Sequence, residues 1–157
     1  MTATGKTSGG LSQGLMNMDG QAKFRQGTVA WFEMVGTLMC EAASHAGLAL
    51  DFNLTLVERY TDGVEPAGGH VQGIRFDIIN GQPSFRIGVR RDERGDVTIE
   101  ITASAARALN VLRSGDPDYQ TALQDFQRSG EMKVGGDPSR LGRWLETVHD
   151  LIVERTI

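Results

Sequence analysis

The fold is decided mainly by residues 119–145, which read YQTALQDFQRSGEMKVGGDPSRLGRWL. The first part places apolar residues at helical spacing and ends at Gly130, whose freedom to adopt a left-handed conformation predicts the end of a helix. A strand of a few residues with Met132 and Val134 follows. Asp137 and Pro138 then predict the start of the last helix, because aspartate caps helices and proline suits the first helical position. The stretch predicts a compact helix, strand and helix unit.

Each predicted helix around this strand has one apolar face. Thr102 or Ser104 caps a helix that ends at Gly115, and Asp116 with Pro117 starts the next one. The apolar faces of the three helices are Ala105, Leu109 and Leu112; Tyr119, Ala122, Leu123 and Phe126; and Leu141, Trp144, Leu145, Val148, Leu151 and Ile152. Since two helices separate residues 131–134 from a strand predicted at 97–101, we expect these two strands to be parallel or not adjacent.

Four segments further upstream alternate apolar and polar side chains, which is typical of half-buried strands. Their apolar residues are Phe52, Leu54 and Leu56; Ile74, Phe76 and Ile78; Phe85, Ile87 and Val89; and Val97, Ile99 and Ile101. Asn80-Gly81 predicts a tight hairpin, residues 92–95 predict a second turn, and residues 62–69 predict a loop. A sheet with one polar face needs helices on its other face only, so the pattern predicts a two-layer α+β domain.

The longest predicted helix runs from Phe24 to Ala46, and Gly47 supplies its left-handed end. Its apolar stripe comprises Phe24, Trp31, Phe32, Val35, Leu38, Met39, Ala42 and Ala46. The stripe is wide and aromatic. Either it packs entirely into the core, or part of it lines a ligand cavity.

Length and composition bound the class of protein. A chain of 157 residues with a net charge of −4 predicts one acidic domain, here residues 21–157, without the clustered basic surface of a nucleic-acid-binding protein. The single cysteine, Cys40, excludes an internal disulfide and suits a reducing compartment. No apolar run is long enough to span a membrane, and no signal peptide is evident. We therefore expect a cytoplasmic protein.

Residues 1–20 are rich in glycine, serine and threonine and predict a disordered tail. The tail carries two short motif matches. Gly5-Lys6-Thr7 resembles the end of a phosphate-binding loop, and residues 10–14 have the spacing of a nucleophile elbow. Neither has the buried strand before it that such a motif needs, so we predict that both are parts of a flexible segment.

Candidate catalytic or metal-binding residues are few. Glu58 lies in phase with the apolar residues of its strand, so it either marks the edge of the sheet or is a polar anchor at the mouth of a pocket. His45, His70 and His149 do not have metal-ligand spacing, and we expect His149 beside Asp150 on a solvated turn of helix. Cys40 has no basic neighbour, which predicts an inert thiol. We predict a solvated outer face for Arg86, Arg90 and Arg91, and no catalytic residue, metal or cofactor.

Part of the chain resembles the sterol carrier protein type two family of lipid-binding domains. The resemblance is carried by Phe126-Gln-Arg-Ser-Gly-Glu-Met-Lys-Val-Gly-Gly-Asp137, by residues 95–102 and by Ser114-Gly-Asp-Pro117. It is closest over residues 95–152, looser over residues 24–94, and does not reach the first 20 residues.

The resemblance implies a five-stranded mixed sheet with helices on one face and an apolar tunnel between the layers. It implies non-catalytic binding or transfer of a fatty acid, acyl chain, sterol or similar lipid. The residues predicted to line the tunnel are Phe32, Val35, Met39, Phe76, Phe85, Met132, Trp144, Leu145 and Val148. The alternative is an accessory or interaction module of a lipid- or quinone-related pathway without its own cargo. A small hydrophobic ligand is the expected partner, a protein partner or homodimer stays open, and neither nucleic acid nor stable membrane insertion is expected.

Overall fold

The computed structural model describes residues 21–64 and 68–157, so the tail predicted to be disordered lies outside the described residues. The helices are α1 (Val29–His45), α2 (Ala103–Leu109), α3 (Pro117–Ser129) and α4 (Arg143–Glu154), with a 3₁₀ helix at Pro138–Leu141. The strands are β1 (Leu54–Tyr60), β2 (His70–Ile79), β3 (Gln82–Arg90), β4 (Val97–Ile101) and β5 (Met132–Gly136). The elements form the predicted α+β domain.

The strands form one five-stranded mixed sheet in the order β3-β2-β1-β4-β5. β1 is the central strand and pairs antiparallel with β2 and parallel with β4. The predicted hairpin joins β2 to β3 at Asn80 and Gly81, where φ is 51° and 76°. Positive φ at both positions matches the twist of the two strands, which is why this dipeptide closes a hairpin well.

The prediction for the last strand is wrong. β5 lies directly beside β4 and runs antiparallel to it, with Met132 opposite Ile101 and Gly136 opposite Val97. The reason is that α2 and α3 together leave and return to the same end of β4, so the long excursion ends where a short turn would have ended. Two intervening helices therefore do not force a parallel pair.

Three predicted helix boundaries are also wrong. α2 ends at Leu109 with Asn110 as its cap, and not at Gly115. α1 begins only after Thr28, whose side chain accepts a hydrogen bond from the Trp31 amide. Phe24 is not helical and forms a bridge with Thr156 near the end of the chain. The helix predicted from Asp137 is interrupted at Gly142, where φ is 76° and ψ is 169°, so a 3₁₀ turn precedes α4.

The main hydrophobic core lies between the sheet and the helices. α1 crosses β3 and β2 and packs beside α4, whereas α3 lies against β5 and α2. Gly36 permits the close approach of α1 to the sheet, because a Cβ atom there would lie 2.4 Å from the ring of Phe85. α1 is thus the most deeply packed helix, and it buries Trp31, Phe32 and Met39 among others.

The other face of the sheet is crossed by residues 91–96, which connect edge strand β3 to β4 on the far side of β1. This segment is therefore a crossover rather than the simple turn predicted from residues 92–95. Beside it, Val57, Val71 and Val89 form a second, separate apolar cluster. The face predicted to be polar is thus partly covered and partly apolar.

Glu93 holds the crossover to the sheet by ion pairs. Arg86 donates to both of its carboxylate oxygens (2.5 and 2.6 Å), and Arg75 Nη1 lies 3.4 Å from Oε2. Burial acts to raise the pKa of Glu93, but the hydrogen bonds from Arg86 and the Arg90 amide, with the Arg86 charge, outweigh it and hold the pKa below its usual range. Arg86 is therefore paired rather than merely solvated.

We expect Glu93→Gln to lower the free energy of unfolding by about 1 kcal/mol at neutral pH, because hydrogen bonds to a charged group are lost. A carboxyl with a lowered folded-state pKa stabilises the fold above its unfolded pKa, and this stability is lost as pH falls through the folded value. The difference from the parent protein should therefore shrink below about pH 4. Urea unfolding at both pH values checks this, with Glu33→Gln on the exposed side of α1 as the control. An unchanged difference at low pH would contradict it.

Candidate functional site

The helix-covered face of the sheet is built from lateral rows of paired residues. In the middle row Glu58 on β1 lies opposite Ile74 on β2 and Ile99 on β4, and Ile99 lies opposite Val134 on β5. The rows on either side are Phe76, Leu56 and Val97, and Tyr60, Ile101 and Met132. All point to the helices, because side chains on one strand return to the same face every second residue.

On β1, β4 and β5 the middle row is more accessible than its neighbours, whereas Ile74 on β2 is buried. Phe76, Leu56 and Val97 expose 0%, 3% and 0% of their surface, and Tyr60, Ile101 and Met132 expose 3%, 2% and 9%. Glu58, Ile99 and Val134 between them are only half-buried, and we call these three residues the half-buried row. A solidly packed layer would cover its centre most completely. Solvent therefore reaches these three residues more than it reaches the rows on either side.

Helices α3 and α4 bury few of their residues. α3 has no buried residue, although its apolar side chains Tyr119, Ala122, Leu123 and Phe126 all contact the core and are half-buried. α4 buries only Val148. α3 and α4 therefore bury less of their apolar surface than α1 does.

Glu58 lies in the centre of the domain, so the prediction that it marks a sheet edge is wrong. β1 has a neighbouring strand on each side, and the edges are β3 and β5. Within residues 21–64 and 68–157 the Glu58 carboxyl has no hydrogen bond and no ion pair. Burial raises its pKa to about 7. Glu58 lies at the middle of an otherwise apolar row, and its role as a polar anchor at the mouth of a pocket stays a prediction.

Tyr119 of α3 and His149 of α4 lie above this part of the sheet. Their ring centroids are 4.5 Å apart. Burial first, and the negative charges of Glu58 and Asp150 next, raise the pKa of Tyr119. His149 Nε2 donates to the Leu112 carbonyl oxygen (2.7 Å), and Asp150 accepts from the Ser114 amide (2.7 Å). His149 therefore joins α4 to the α2–α3 connection, and the prediction of a solvated turn is wrong.

The residues predicted to line a tunnel come together, but mostly as packed core. Phe32, Val35, Met39, Phe76, Met132 and Val148 are buried, whereas Phe85, Trp144 and Leu145 are half-buried at the margin of the same cluster. Their role as a ligand lining stays a prediction. Periodicity alone did not single out Ile99, Val134 or Tyr119, because it identifies the face of a side chain and not the space above it.

A cleft of about 360 Å³ opens between α1 and α4. It is lined by Leu38, Glu41, Ala42, His45, Ala46, Trp144, Thr147 and Leu151. Trp144 reaches from this cleft to Phe76, with the ring centroids 5.9 Å apart. The cleft and the inner face of the sheet thus share one aromatic side chain.

Polar groups suited to other chemistry are dispersed. Across the two described ranges, no three histidine, cysteine, aspartate or glutamate side chains are grouped so that they could hold a metal ion. His45 Nδ1 lies 2.8 Å from the Glu41 carbonyl oxygen at the end of α1. Burial, and secondarily Glu41, raise the pKa of Cys40, which favours the unreactive thiol form. None of the helices within residues 21–64 and 68–157 combines the length and the apolar character that crossing a membrane requires.

Known structures share this architecture. Sterol carrier protein 2 aligns with a TM-score of 0.50 and 13% sequence identity, over 83% of this chain and 99% of that one. The sterol carrier protein domain 2 of Helicoverpa armigera aligns with a TM-score of 0.40 and 13% identity, over 86% and 97% of the two chains. The UbiJ-SCP2 ubiquinone synthesis protein aligns with a TM-score of 0.42 and 17% identity, over 76% and 90%. Neither a family model nor a curated protein sequence matches the chain. The domain has the fold of sterol carrier protein 2.

Proposed function

We propose that this domain, which has the sterol carrier protein 2 fold, binds a hydrophobic ligand without chemical conversion, between the half-buried row and helices α3 and α4. A fatty acid derivative, acyl chain, sterol or similar lipid is the class of ligand that fits. The observation that carries the proposal is the accessible surface of Glu58, Ile99 and Val134 between two fully buried rows.

The chemistry of the space suits an apolar molecule. Ile99 and Val134 would form its floor, and Leu123 and Phe126 of α3, the helix that packs on β5, are half-buried at the same core. Ligand sites of this kind are mostly apolar, with a few polar groups that orient the ligand. Burying about ten methylene groups contributes about 8 kcal/mol, which before ordering costs corresponds to micromolar affinity.

The loose packing of α3 and α4 provides a route for entry and release. Val148 is the one buried residue of α4. His149 and Asp150 join α4 to the α2–α3 connection, so a small displacement of α4 together with that connection would widen the cleft at Trp144 toward Phe76. Such a displacement breaks few buried contacts, and elements with few buried contacts open at low cost. We also propose that the protein transfers the ligand from donors to acceptors, and that it does so in the cytoplasm.

Native mass spectrometry of freshly purified protein, followed by organic extraction, tests the proposal. We expect either a co-purified lipid or saturable binding of an acyl or sterol probe, accompanied by a change in Trp144 fluorescence measured in a Trp31→Phe background. A protein that arrives empty and binds neither probe would overturn it. The accessory or interaction module without cargo would then be the remaining use of this fold.

A further inference from the structure

The half-buried row contains one polar side chain, and that side chain lacks a partner. The Glu58 carboxyl makes no hydrogen bond or ion pair with the part of the chain that the structure describes. Its lateral neighbours on both sides are isoleucines, Ile74 and Ile99. The Glu58 side chain is half-buried, so its carboxyl depends on solvent for hydrogen-bond donors. A donor supplied from outside the chain could take the place of that solvent.

The groups around Glu58 identify what that donor can be. Tyr60 on β1 and Tyr119 on α3 are close enough for the Glu58 charge to raise their pKa values, after the larger effect of burial. The Tyr60 hydroxyl accepts a hydrogen bond from Gln26 Nε2 (3.2 Å), and His149 on α4 directs Nε2 to Leu112. Arg59, the cation adjacent in sequence, lies on the other face and pairs with Glu100. No side chain of the described residues neutralises Glu58.

We propose that the Glu58 carboxylate accepts a hydrogen bond from the polar end of the bound ligand, and that it selects a hydroxyl-bearing lipid, such as a long-chain alcohol or a sterol, over the ionised carboxylate of a free fatty acid. This inference rests on the proposed function and concerns the same space. The apolar chain of the ligand would lie along Ile99 and Val134, toward the open edge at β5.

The selection follows from charge. A hydroxyl donates to a carboxylate in a charge-assisted hydrogen bond, which is about twice as strong as one between neutral groups. A fatty acid carboxylate has no proton to donate and places a second negative charge beside the first, where the low local dielectric strengthens repulsion. Protonation of Glu58 removes both effects, so the preference should weaken when pH falls below the pKa of Glu58.

The test compares dodecanol with dodecanoate, which share one chain length and differ in the polar end. At about pH 8 the parent protein should bind dodecanol at least about tenfold more tightly. Glu58→Gln keeps the size of the side chain and an acceptor oxygen but removes the charge. We expect it to tighten dodecanoate binding by about tenfold and, because a neutral hydrogen bond replaces a charge-assisted one, to weaken dodecanol binding by about fivefold. Glu100→Gln, on the other face of the sheet, is the matched control and should leave the ratio unchanged.

A second measurement uses the parent protein alone and so does not depend on the folding of a variant. Lowering pH from about 8 to about 6, where dodecanoate in water is still largely ionised, should reduce the alcohol preference several-fold. Equal affinities for the two ligands at both pH values, or a ratio that Glu58→Gln does not move, would overturn this inference while leaving the proposed function intact. Failure of both ligands to bind the parent protein would overturn the proposed function as well.

Discussion

Val134→Trp is expected to weaken ligand binding by about tenfold or more, because an indole ring at this position occupies the space above the half-buried row. Val134 lies on edge strand β5, faces the helices beneath α3 and is only half-buried. A ring that fills open space displaces the ligand without displacing other side chains. Titration of a fluorescent acyl or sterol probe measures the loss.

Lys133→Trp is the matched control, since it introduces the same side chain one residue earlier on the same strand. Lys133 is exposed, lies opposite Glu100 of the neighbouring strand β4 and points to the other face of the sheet. We expect its probe affinity to stay within about twofold of the parent protein.

Urea unfolding of Val134→Trp distinguishes whether Val134 faces open space or packed core. If the space is open, the free energy of unfolding of Val134→Trp should stay within about 1 kcal/mol of the parent value, because the new ring is accommodated. A loss of about 1–3 kcal/mol, the usual cost of overpacking, together with unchanged probe binding, would show that ligand does not occupy this place.

Local signals in the sequence were sufficient to predict most of the secondary structure. Asp116 and Pro117 start α3, and Gly130 ends it with φ of 84°, as predicted from the conformations these residues favour. Asn80 and Gly81 close the hairpin for the same kind of reason. Alternation placed Ile74, Phe76 and Ile78 correctly on the buried face. These properties depend on a few neighbouring residues, so one sequence is enough to identify them.

Properties that depend on distant segments were not predicted. The antiparallel placement of β5 follows from how α2 and α3 return the chain, and no residue within β5 signals it. The same holds for Glu58, whose phase within its strand was read correctly while its central position was not. Val57 is buried with Val71 and Val89, although it lies on the face predicted to be polar. Periodicity gives the direction of a side chain, but packing density depends on which segment lies above it.

Glu58→Gln is expected to stabilise the ligand-free protein by about 2 kcal/mol at about pH 8 and to have almost no effect at about pH 4. Burial raises the pKa of Glu58 from 4.5 to about 7 in the folded state. Stability associated with a raised pKa is fully present below the unfolded value and is lost as pH rises through the folded value. Each pKa unit corresponds to about 1.4 kcal/mol, and the solvent that Glu58 still contacts reduces the total. Glutamine resembles the protonated carboxyl, so the variant does not lose this stability as pH rises.

Glu100→Gln is the control, and we expect it to lower the free energy of unfolding where Glu58→Gln raises it. Glu100 lies on the strand next to Glu58 but on the other face, where Arg59 Nη2 is 3.0 Å and Arg94 Nη1 is 2.7 Å from Oε1. Removing its charge leaves Arg59, which exposes only 9% of its surface, with a weaker partner, and should cost about 2 kcal/mol at about pH 8. Chemical unfolding of the three proteins across this pH range measures both effects. Destabilisation by Glu58→Gln at about pH 8 would mean that the carboxylate has a donor within the protein, and a ligand would then have no unpaired charge to satisfy.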